Sequence, residues 1–283
     1  MSAVAQTGRR LESIPRPRSV FQRNLNLVRE LSITAFKIKY TGSALGYVWS
    51  LVKPLMLFGI MYLVFSILLK AGAGTYDFPV QLLVAIVVWT FFTEATTTAM
   101  NAVAGNGDLI RKAYFPRWIL VVSATTSALL SFAINTVLVL IITFALGQLH
   151  LTWISLLAPL YYTELIVLVL GLSLLLSSLF VFFRDLGHIW EILSLVLFYG
   201  SAVVIPFELI RSHSIKLADF AGMNPIAQII TDLRHVLVAP DRIPSMATLI
   251  GPLAYIPIGI TVVVFIVGLM VFNKLTPRFA EAL

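Results

Sequence analysis

Two kinds of residue are scarce in this 283-residue chain, and each scarcity excludes a class of protein. There is no cysteine, which excludes disulfide bonds, thiolate catalysis and cysteine-ligated metal sites. Only 12% of the residues are charged, whereas 59% are apolar, a balance outside the range of soluble globular domains. One soluble core cannot hide so much apolar surface. We therefore predict an all-α polytopic membrane protein.

Patterns typical of catalysis are also missing. The four histidines are scattered over the sequence, and the pair His235 and Asp241 has five intervening residues and no second base nearby. We predict no catalytic residue, no bound metal and no cofactor on this chain. A membrane enzyme acting on lipid-linked sugars is the less favoured alternative, and a secondary transporter would need paired inverted repeats that the sequence lacks.

The formal net charge of +7 has two explanations. Nucleic-acid binding would call for basic and aromatic residues interleaved on a soluble domain, and we predict no nucleic-acid partner. Basic residues also mark the cytoplasmic loops of membrane proteins, and that explanation suits the hydropathy of this chain.

Hydropathy along the chain predicts six transmembrane helices in a domain covering residues 48–283. Six spans place both termini on one side of the membrane. The loops on that side carry about fourteen Lys and Arg residues and the opposite loops about five, so both termini are expected in the cytoplasm. The predicted spans are Val48–Leu69, Val80–Met100, Trp118–Leu146, Ile154–Phe183, Ile189–Phe207 and Ile250–Phe272.

Residues 1–47 form a separate cytoplasmic region. Residues 1–19 are expected to be a basic tail beside an anionic leaflet, without features of a cleaved signal peptide. Val20–Tyr40 mixes apolar and basic residues in a pattern typical of an amphipathic helix in the membrane interface. An ordinary juxtamembrane anchor helix is the alternative.

Two loops stand out from the apolar spans. The basic loop 105–117 is too polar to cross a bilayer and too short to fold alone, so it predicts a cytoplasmic handle for a separate soluble subunit. The external segment 207–249 is too long and too apolar for a plain connector. There Asn224 and Pro225 have the spacing of a helix N-cap and first helical residue. We predict a re-entrant hairpin in this segment, the alternative being a solvated loop with one amphipathic helix.

Four motifs, in order, carry a family resemblance over nearly the whole chain. They are Lys37 to Pro54 (KIKYTGSALGYVWSLVKP), Asn106 to Pro116, Phe182 to Leu186 (FFRDL), and Asn224-Pro225 before the last span. With these motifs the chain resembles the membrane subunits of ABC exporters for lipid-linked polysaccharides, the Wzm-like family of O-antigen, teichoic acid, capsule and galactan permeases. An ABC permease for a drug or lipid cargo is the runner-up interpretation.

The resemblance implies a homodimer in the bacterial cytoplasmic membrane, docked on two ATP-binding subunits that carry ATP and Mg²⁺. This sequence agrees, since it has no G-x-x-x-x-G-K-[ST] phosphate loop. Arg184 and Asp185 are either a second contact with the partner or a local salt bridge. The residues implied to contact the ATP-binding subunit are Asp108, Leu109, Ile110, Arg111, Lys112, Tyr114, Phe115, Arg184 and Asp185.

The implied substrate is a polyprenyl-diphosphate-linked glycan. Its diphosphate would be recognised on entry by Arg29, Lys37, Lys39 and Lys53. Aromatic rings stack on sugars, which makes aromatic residues of the spans candidates to line a channel. Carboxylates inside spans usually face protein or water, so Glu94 and Glu164 are either in the channel, or else protonated or bonded to a neighbouring helix. Asn224 and Pro225 would belong to the external gate. The predicted channel-lining residues are Phe91, Phe92, Glu94, Tyr161, Tyr162, Glu164, Trp190, Phe198 and Tyr199.

Overall fold

The regular elements of this protein are helices throughout the part of the chain that its computed structural model describes, residues 20–43, 45–70, 76–112, 115–147 and 152–282. The predicted all-α class is therefore confirmed for these residues. The predicted basic tail, residues 1–19, lies outside them. The α-helices are α1 Val20–Tyr40, α2 Trp49–Met61, α3 Phe78–Ala104, α4 Gly107–Lys112, α5 Trp118–Ala145, α6 Ala158–Phe180, α7 Leu186–Gly200, α8 Phe207–His213, α9 Ile215–Gly222, α10 Pro225–Leu237, α11 Met246–Ile250, α12 Ile256–Leu275 and α13 Phe279–Ala282.

Five continuous helical stretches of the described chain are long and apolar enough to cross a membrane. In several of these stretches a short 3₁₀ or π-helical turn extends the α-helix. The five stretches correspond to five of the six predicted spans. They are Gly46–Leu68, Phe78–Ala104, Trp118–Ala145, Trp153–Phe180 and Met246–Arg278.

The predicted span Ile189–Phe207 differs from the helix that the structure contains. Helix α7 has 15 residues and ends at Gly200, so it is about 22 Å long against a hydrocarbon core of about 30 Å. Residues 201–206 then run without regular structure to α8. The prediction was wrong on the length of this helix, because the apolar residues that follow Gly200 raise the local hydropathy without being helical.

Helix α3 is the centre of the bundle. It packs against α5 on one side and α6 on another, and its side chains are buried nearly all round, including Trp89, Phe92 and the polar Thr96. A helix that is apolar on every face is expected at such a central position. Helix α3 therefore supports the helices that carry the candidate sites.

Helices α6 and α12 cross in very close contact. A Cβ atom at Gly171 of α6 would lie 2.6 Å from the Cα of Phe265 of α12, and a Cβ at Gly268 would overlap the carbonyl oxygen of Gly171. Small residues allow membrane helices to bring their backbones together in this way. The two glycines therefore fix the distance between α6 and α12.

Helices α2 and α7 form an outer face with little cover from the rest of the subunit. Helix α2 buries few of its residues. It is bonded to α5 by the Asn135 side-chain amide, which donates to the Ser50 carbonyl oxygen at 3.1 Å. The side chains of Met56 and Ile60 on α2 and of Ile192 on α7 are more than half exposed. We call this exposed surface the α2–α7 face.

Helix α1 begins and ends at the residues predicted for the interface helix. It packs along α5 and buries Val28 and Ser32, while its basic side chains Arg29 and Lys37 stay exposed. Near its C-terminal end, Lys39 forms an ion pair with Glu94 of α3. The helix is therefore attached to the bundle through both packing and charge.

Candidate functional site

The loop predicted as a handle contains α4, a helix of six residues between α3 and α5. Asp108, Arg111 and Lys112 are exposed, and Leu109 is also exposed although it is apolar. An exposed leucine flanked by charges of both signs can dock into a shallow cleft on another protein. Tyr114, predicted in the same set, lies outside the described residues.

The opposite side of α4 faces the bundle. Ile110 is only 6% exposed and packs in one cluster with Val103 of α3 and Phe279 of α13, with Phe115 at its edge. Phe279 is fully buried and also contacts Phe272 of α12 at a ring-centroid distance of 5.6 Å. Ile110 therefore holds α4 on the bundle, and its side chain does not face a partner docked on the exposed side.

Arg184 and Asp185 lie together in the turn between α6 and α7, and both are exposed. They do not form a salt bridge with each other, because the one ion pair among the described residues joins Lys39 to Glu94. The Arg184 guanidinium instead lies 5.3 Å from the centroid of the Phe180 ring. Both side chains thus remain available to a partner.

The four predicted entry cations do not form one cluster of equivalent residues. Arg29, Lys37 and Lys53 are exposed, whereas Lys39 is engaged with Glu94. Glu94 is thereby hydrogen-bonded to a neighbouring helix, the alternative that the sequence left open for it. Lys39 thus has a structural partner, whereas no ion pair within the described residues involves Arg29, Lys37 or Lys53.

Most of the predicted channel aromatics are enclosed within the subunit. Phe91, Phe92, Trp190 and Phe198 are between 0% and 7% exposed. Phe92 lies between Trp89 and Trp190, with ring centroids 5.3 and 5.9 Å away. In this conformation Phe91, Phe92 and Trp190 are packing residues, and Tyr162, half-buried against the Phe132 ring, belongs with them. Phe198 packs against the Trp89 ring and also lines a groove between α2 and α7.

A groove of about 500 Å³ opens on the α2–α7 face. We call it the α2–α7 groove. Tyr199, which was predicted to line the channel, is 65% exposed there. The groove also contains polar side chains that were not predicted, Glu191 and Ser194 of α7 and Thr93 of α3. Glu191 lies inside a predicted span, so the rule that selected Glu94 and Glu164 could have found it.

Tyr161 and Glu164, two further predicted channel residues, lie on another side of the bundle. They line a cavity between α6, α10 and α12, and Glu164 accepts a hydrogen bond from the Gln228 amide of α10 at 3.4 Å. Glu164 is therefore also bonded to a neighbouring helix.

The segment between α7 and α12 folds into four α-helices, α8, α9, α10 and α11. The prediction that Asn224 caps α10 is confirmed, since its side-chain oxygen accepts from the Ile226 amide at 3.0 Å and Pro225 is the first helical residue. The Asn224 amide also donates to the Ser201 hydroxyl at 2.9 Å. This cap therefore joins α10 to the irregular segment after α7.

Arg234 of α10 makes a second and stronger connection to the same segment. Arg234 is 2% exposed, and its guanidinium donates to the carbonyl oxygens of Gln81, Ala202 and Val203 at 3.0, 2.8 and 2.7 Å. Burial lowers the pKa of Arg234 to about 10, so the side chain remains charged at neutral pH. No sequence pattern predicts this contact, because its acceptors are backbone groups.

Comparison with known proteins places these features in a family. Residues 26–238 match the family model described as ABC-2 type transporter. The chain is also 27% identical over 252 residues to the O-antigen export system permease protein RfbA of Klebsiella pneumoniae, covering 87% of this chain and 91% of that protein. The protein of the same name from Myxococcus xanthus is 26% identical over 250 residues, with the same coverage.

Proposed function

The chain belongs to the ABC-2 type transporter family, and from that premise we propose that it is the permease subunit of an exporter for a polyprenyl-diphosphate-linked polysaccharide. As a permease subunit it is not an enzyme, and a separate ATP-binding subunit hydrolyses ATP. It is a protein of the bacterial cytoplasmic membrane. The observation that carries the proposed cargo is the match, over 87% of the chain, to permeases named for O-antigen export.

Six crossings are part of the proposal. Helix α7 is too short to cross alone, but residues 201–206 follow it in the chain and contain the buried Ala202 and Val203. Non-helical backbone is tolerated at membrane depth when protein donors satisfy it, and Arg234 supplies such donors. With six crossings and the excess of basic residues in the loops around α1, α4 and α13, both termini lie in the cytoplasm.

The homodimer is proposed to meet along the α2–α7 face. Its apolar side chains are exposed on a single subunit, and the α2–α7 groove brings Glu191, Ser194 and Tyr199 to the same surface. Two such grooves facing each other would enclose hydroxyl, carboxylate and phenol groups, which suit a glycan. The polyprenyl tail can remain in lipid. The exposed Arg29, Lys37 and Lys53 are proposed to receive the diphosphate.

The ATP-binding subunit is proposed to dock on the exposed side of α4, with Arg184 and Asp185 as a second contact. The exposed Leu109, Asp108, Arg111 and Lys112 support this, as does the packing of Ile110 against α13, which lets force on α4 reach α3 and α12. ATP and Mg²⁺ would be bound by the partner, in two copies for the dimer.

Co-purification tests the docking surface. The protein, tagged at the C-terminus, is extracted from native membranes in mild detergent, and its partners are identified by mass spectrometry. We expect an ATP-binding subunit with the wild-type protein and about tenfold less of it with the triple variant Asp108→Ala/Arg111→Ala/Lys112→Ala, since a few exposed contacts at an interface together contribute about 1.4 kcal/mol or more.

A matched triple variant at the other end of the bundle, Lys216→Ala/Asp219→Ala/Arg242→Ala, removes the same charges and should leave the recovery unchanged. Equal recovery with both triple variants would remove α4 from the docking surface. Accumulation of the lipid-linked glycan on the cytoplasmic side in cells that lack the protein tests the cargo. A cell envelope glycan that reaches the surface normally in such cells would overturn the proposed substrate class.

A further inference from the structure

A cavity of about 450 Å³ lies between α6, α10 and α12, on a different side of the bundle from the α2–α7 groove. We call it the α6–α12 cavity. One part of its wall is apolar, formed by Leu160, Val167 and Ile258 among others. The other part is polar. It includes Glu164 from α6, Gln228 and Asp232 from α10, Ser245 before α11, and Thr261 from α12.

Three polar atoms on this wall have no hydrogen-bond partner within the described structure. They are Glu164 Oε1, Gln228 Oε1 and Thr261 Oγ1. Gln228 and Thr261 are each only 2% exposed, so bulk water does not satisfy them. An unsatisfied buried polar group destabilises the folded state, and such groups are rare in folded proteins. Three of them around one cavity indicate a ligand.

The existing hydrogen bonds decide what kind of ligand fits. The Gln228 amide donates to Asp232 Oδ2 at 2.8 Å and to Glu164 Oε2 at 3.4 Å, so its unpaired atom is the carbonyl oxygen. Asp232 Oδ1 accepts from the Met246 amide at 2.7 Å. The free positions of Glu164 and Gln228 are thus acceptors, and the ligand has to bring donors.

The charged groups around the cavity also indicate a ligand that brings donors. Two carboxylates border the cavity, and no lysine, arginine or histidine belongs to the lining that the structure describes. A carboxyl group in apolar surroundings stays ionised only beside an opposite charge or strong donors, and otherwise takes up a proton. A metal ion does not fit, since no group of three or more His, Cys, Asp or Glu side chains in the described part of the chain could hold one. A primary ammonium group fits, because it has a positive charge, three N–H donors and no acceptor.

The apolar part of the wall indicates that the ammonium group is carried by a lipid. The volume of about 450 Å³ admits a headgroup and the first part of an acyl chain. Beside the cavity, α12 exposes Val262, Val263 and Ile266, along which the rest of a chain could lie. Tyr255 and Ser245, also in the lining, have hydroxyls that can donate to a phosphate.

We propose that the α6–α12 cavity binds the primary ammonium headgroup of a membrane aminophospholipid, with Glu164, Gln228 and Thr261 as its acceptors. The bound lipid would connect α10 to α6 and α12 from the membrane side. This site is separate from the proposed glycan path, and its test needs neither the glycan nor the ATP-binding subunit.

Native mass spectrometry of the full-length protein tests the proposal. The purified protein is delipidated in detergent and supplied with phosphatidylethanolamine, phosphatidylcholine or phosphatidylglycerol of matched chains. We expect about tenfold greater retention of phosphatidylethanolamine than of phosphatidylcholine, because the quaternary ammonium of phosphatidylcholine has no N–H group to form a charge-assisted hydrogen bond. Equal retention of these two lipids would overturn the proposal.

Isosteric variants locate the site. Glu164→Gln and Thr261→Val should each reduce the preference for phosphatidylethanolamine several-fold, while Asp241→Asn, an exposed position outside the cavity, should retain it. If Glu164→Gln does not elute as the wild type does on size exclusion, Thr261→Val decides the result. A preference unchanged in the folded variants would contradict the assignment.

Competition with a soluble amine tests whether the ammonium group has to be carried by a lipid. Ethanolamine at millimolar concentration should displace little of the bound lipid, because it lacks the acyl chains that contact the apolar wall. Full displacement by ethanolamine would mean that the cavity binds a free amine and that the lipid proposal is wrong.

Discussion

Arg234 shows how one side chain can replace the backbone hydrogen bonds of a missing helical turn. The chain leaves helical geometry after Gly200, so the carbonyl groups of Ala202 and Val203 have no helical donor, and both receive one from the buried guanidinium. Arginine is suited to this role because its donors form a rigid planar fork that keeps its charge.

Replacing this guanidinium should destabilise the protein. In Arg234→Met the side chain keeps much of its length, but three buried carbonyl oxygens lose their donor, and we expect a loss of about 3 kcal/mol or more. Thermal unfolding of the purified protein in detergent, followed by tryptophan fluorescence, would measure it.

Arg242→Met is the matched control for that variant. Arg242 is exposed, with its guanidinium 4.3 Å from the centroid of the Tyr76 ring, and an exposed cation–π contact contributes about 0.5–1 kcal/mol. Equal unfolding temperatures for the two variants would show that the contacts of Arg234 are unimportant for stability.

The ion pair of Lys39 and Glu94 leads to a second prediction at the same scale. If Lys39 is structural, Lys39→Glu should weaken the attachment of α1 by placing two carboxylates together, and the exchanged pair Lys39→Glu/Glu94→Lys should restore it. Limited proteolysis at the α1 boundary would report the attachment. Lys37→Glu, at an exposed position of the same helix, is the control.

Export activity of the same variants separates the two interpretations of Lys39. If Lys39 binds the diphosphate, export should be lost both in Lys39→Glu and in the exchanged pair. If Lys39 is structural, export should be lost in Lys39→Glu and restored in the exchanged pair. Continued loss with an intact α1 would favour substrate binding.

Among the elements, the crossing of α6 and α12 depends on the absence of side chains at two positions. Gly268→Ala would place a methyl group on the Gly171 carbonyl, and the helices would have to separate. We expect a loss of about 1–3 kcal/mol, the usual range for overpacking. Thermal unfolding in detergent would measure it.

Gly259→Ala is the control on the same helix. A Cβ at Gly259 meets no atom within 4 Å, so this variant should be neutral or slightly stabilising, as alanine favours the helix. If Gly268→Ala were as stable as Gly259→Ala, close packing of the two helices would not contribute to stability.

The elements that the sequence predicted well are those with a local signal. Asn224 before Pro225 is a local capping pattern, and the amphipathic run Val20–Tyr40 is a helix with the predicted ends. The end of α7 was mispredicted because hydropathy reports how apolar the residues are and not whether they are helical. The burial of Ile110 and Phe92 also could not be predicted, since it depends on the distant partners Phe279 and Trp190.

At the scale of the whole molecule, the proposed dimer can be tested through the lack of cysteine. A single cysteine introduced on the α2–α7 face, as in Ile192→Cys, is the only thiol in the chain. We expect it to give a covalent dimer with a short bis-maleimide in native membranes, because the two copies of α7 would lie close together. Electrophoresis under denaturing conditions would detect the product.

Val263→Cys on α12 provides the comparison. Val263 is 59% exposed but lies away from the proposed interface, so this variant should stay monomeric after the same treatment. Cross-linking at Val263 with none at Ile192 would move the dimer interface to the opposite side of the bundle.

The contacts of Arg234 also bear on the order in which the protein is assembled during synthesis. Gln81 precedes Arg234 by 153 residues, and Ala202 and Val203 precede it by about thirty, so every acceptor leaves the ribosome before the guanidinium does. Insertion from the N-terminus therefore presents Arg234 with a finished set of acceptors. A circular permutant that starts at residue 208 would reverse this order, leaving a charged side chain at the translocon before any acceptor exists.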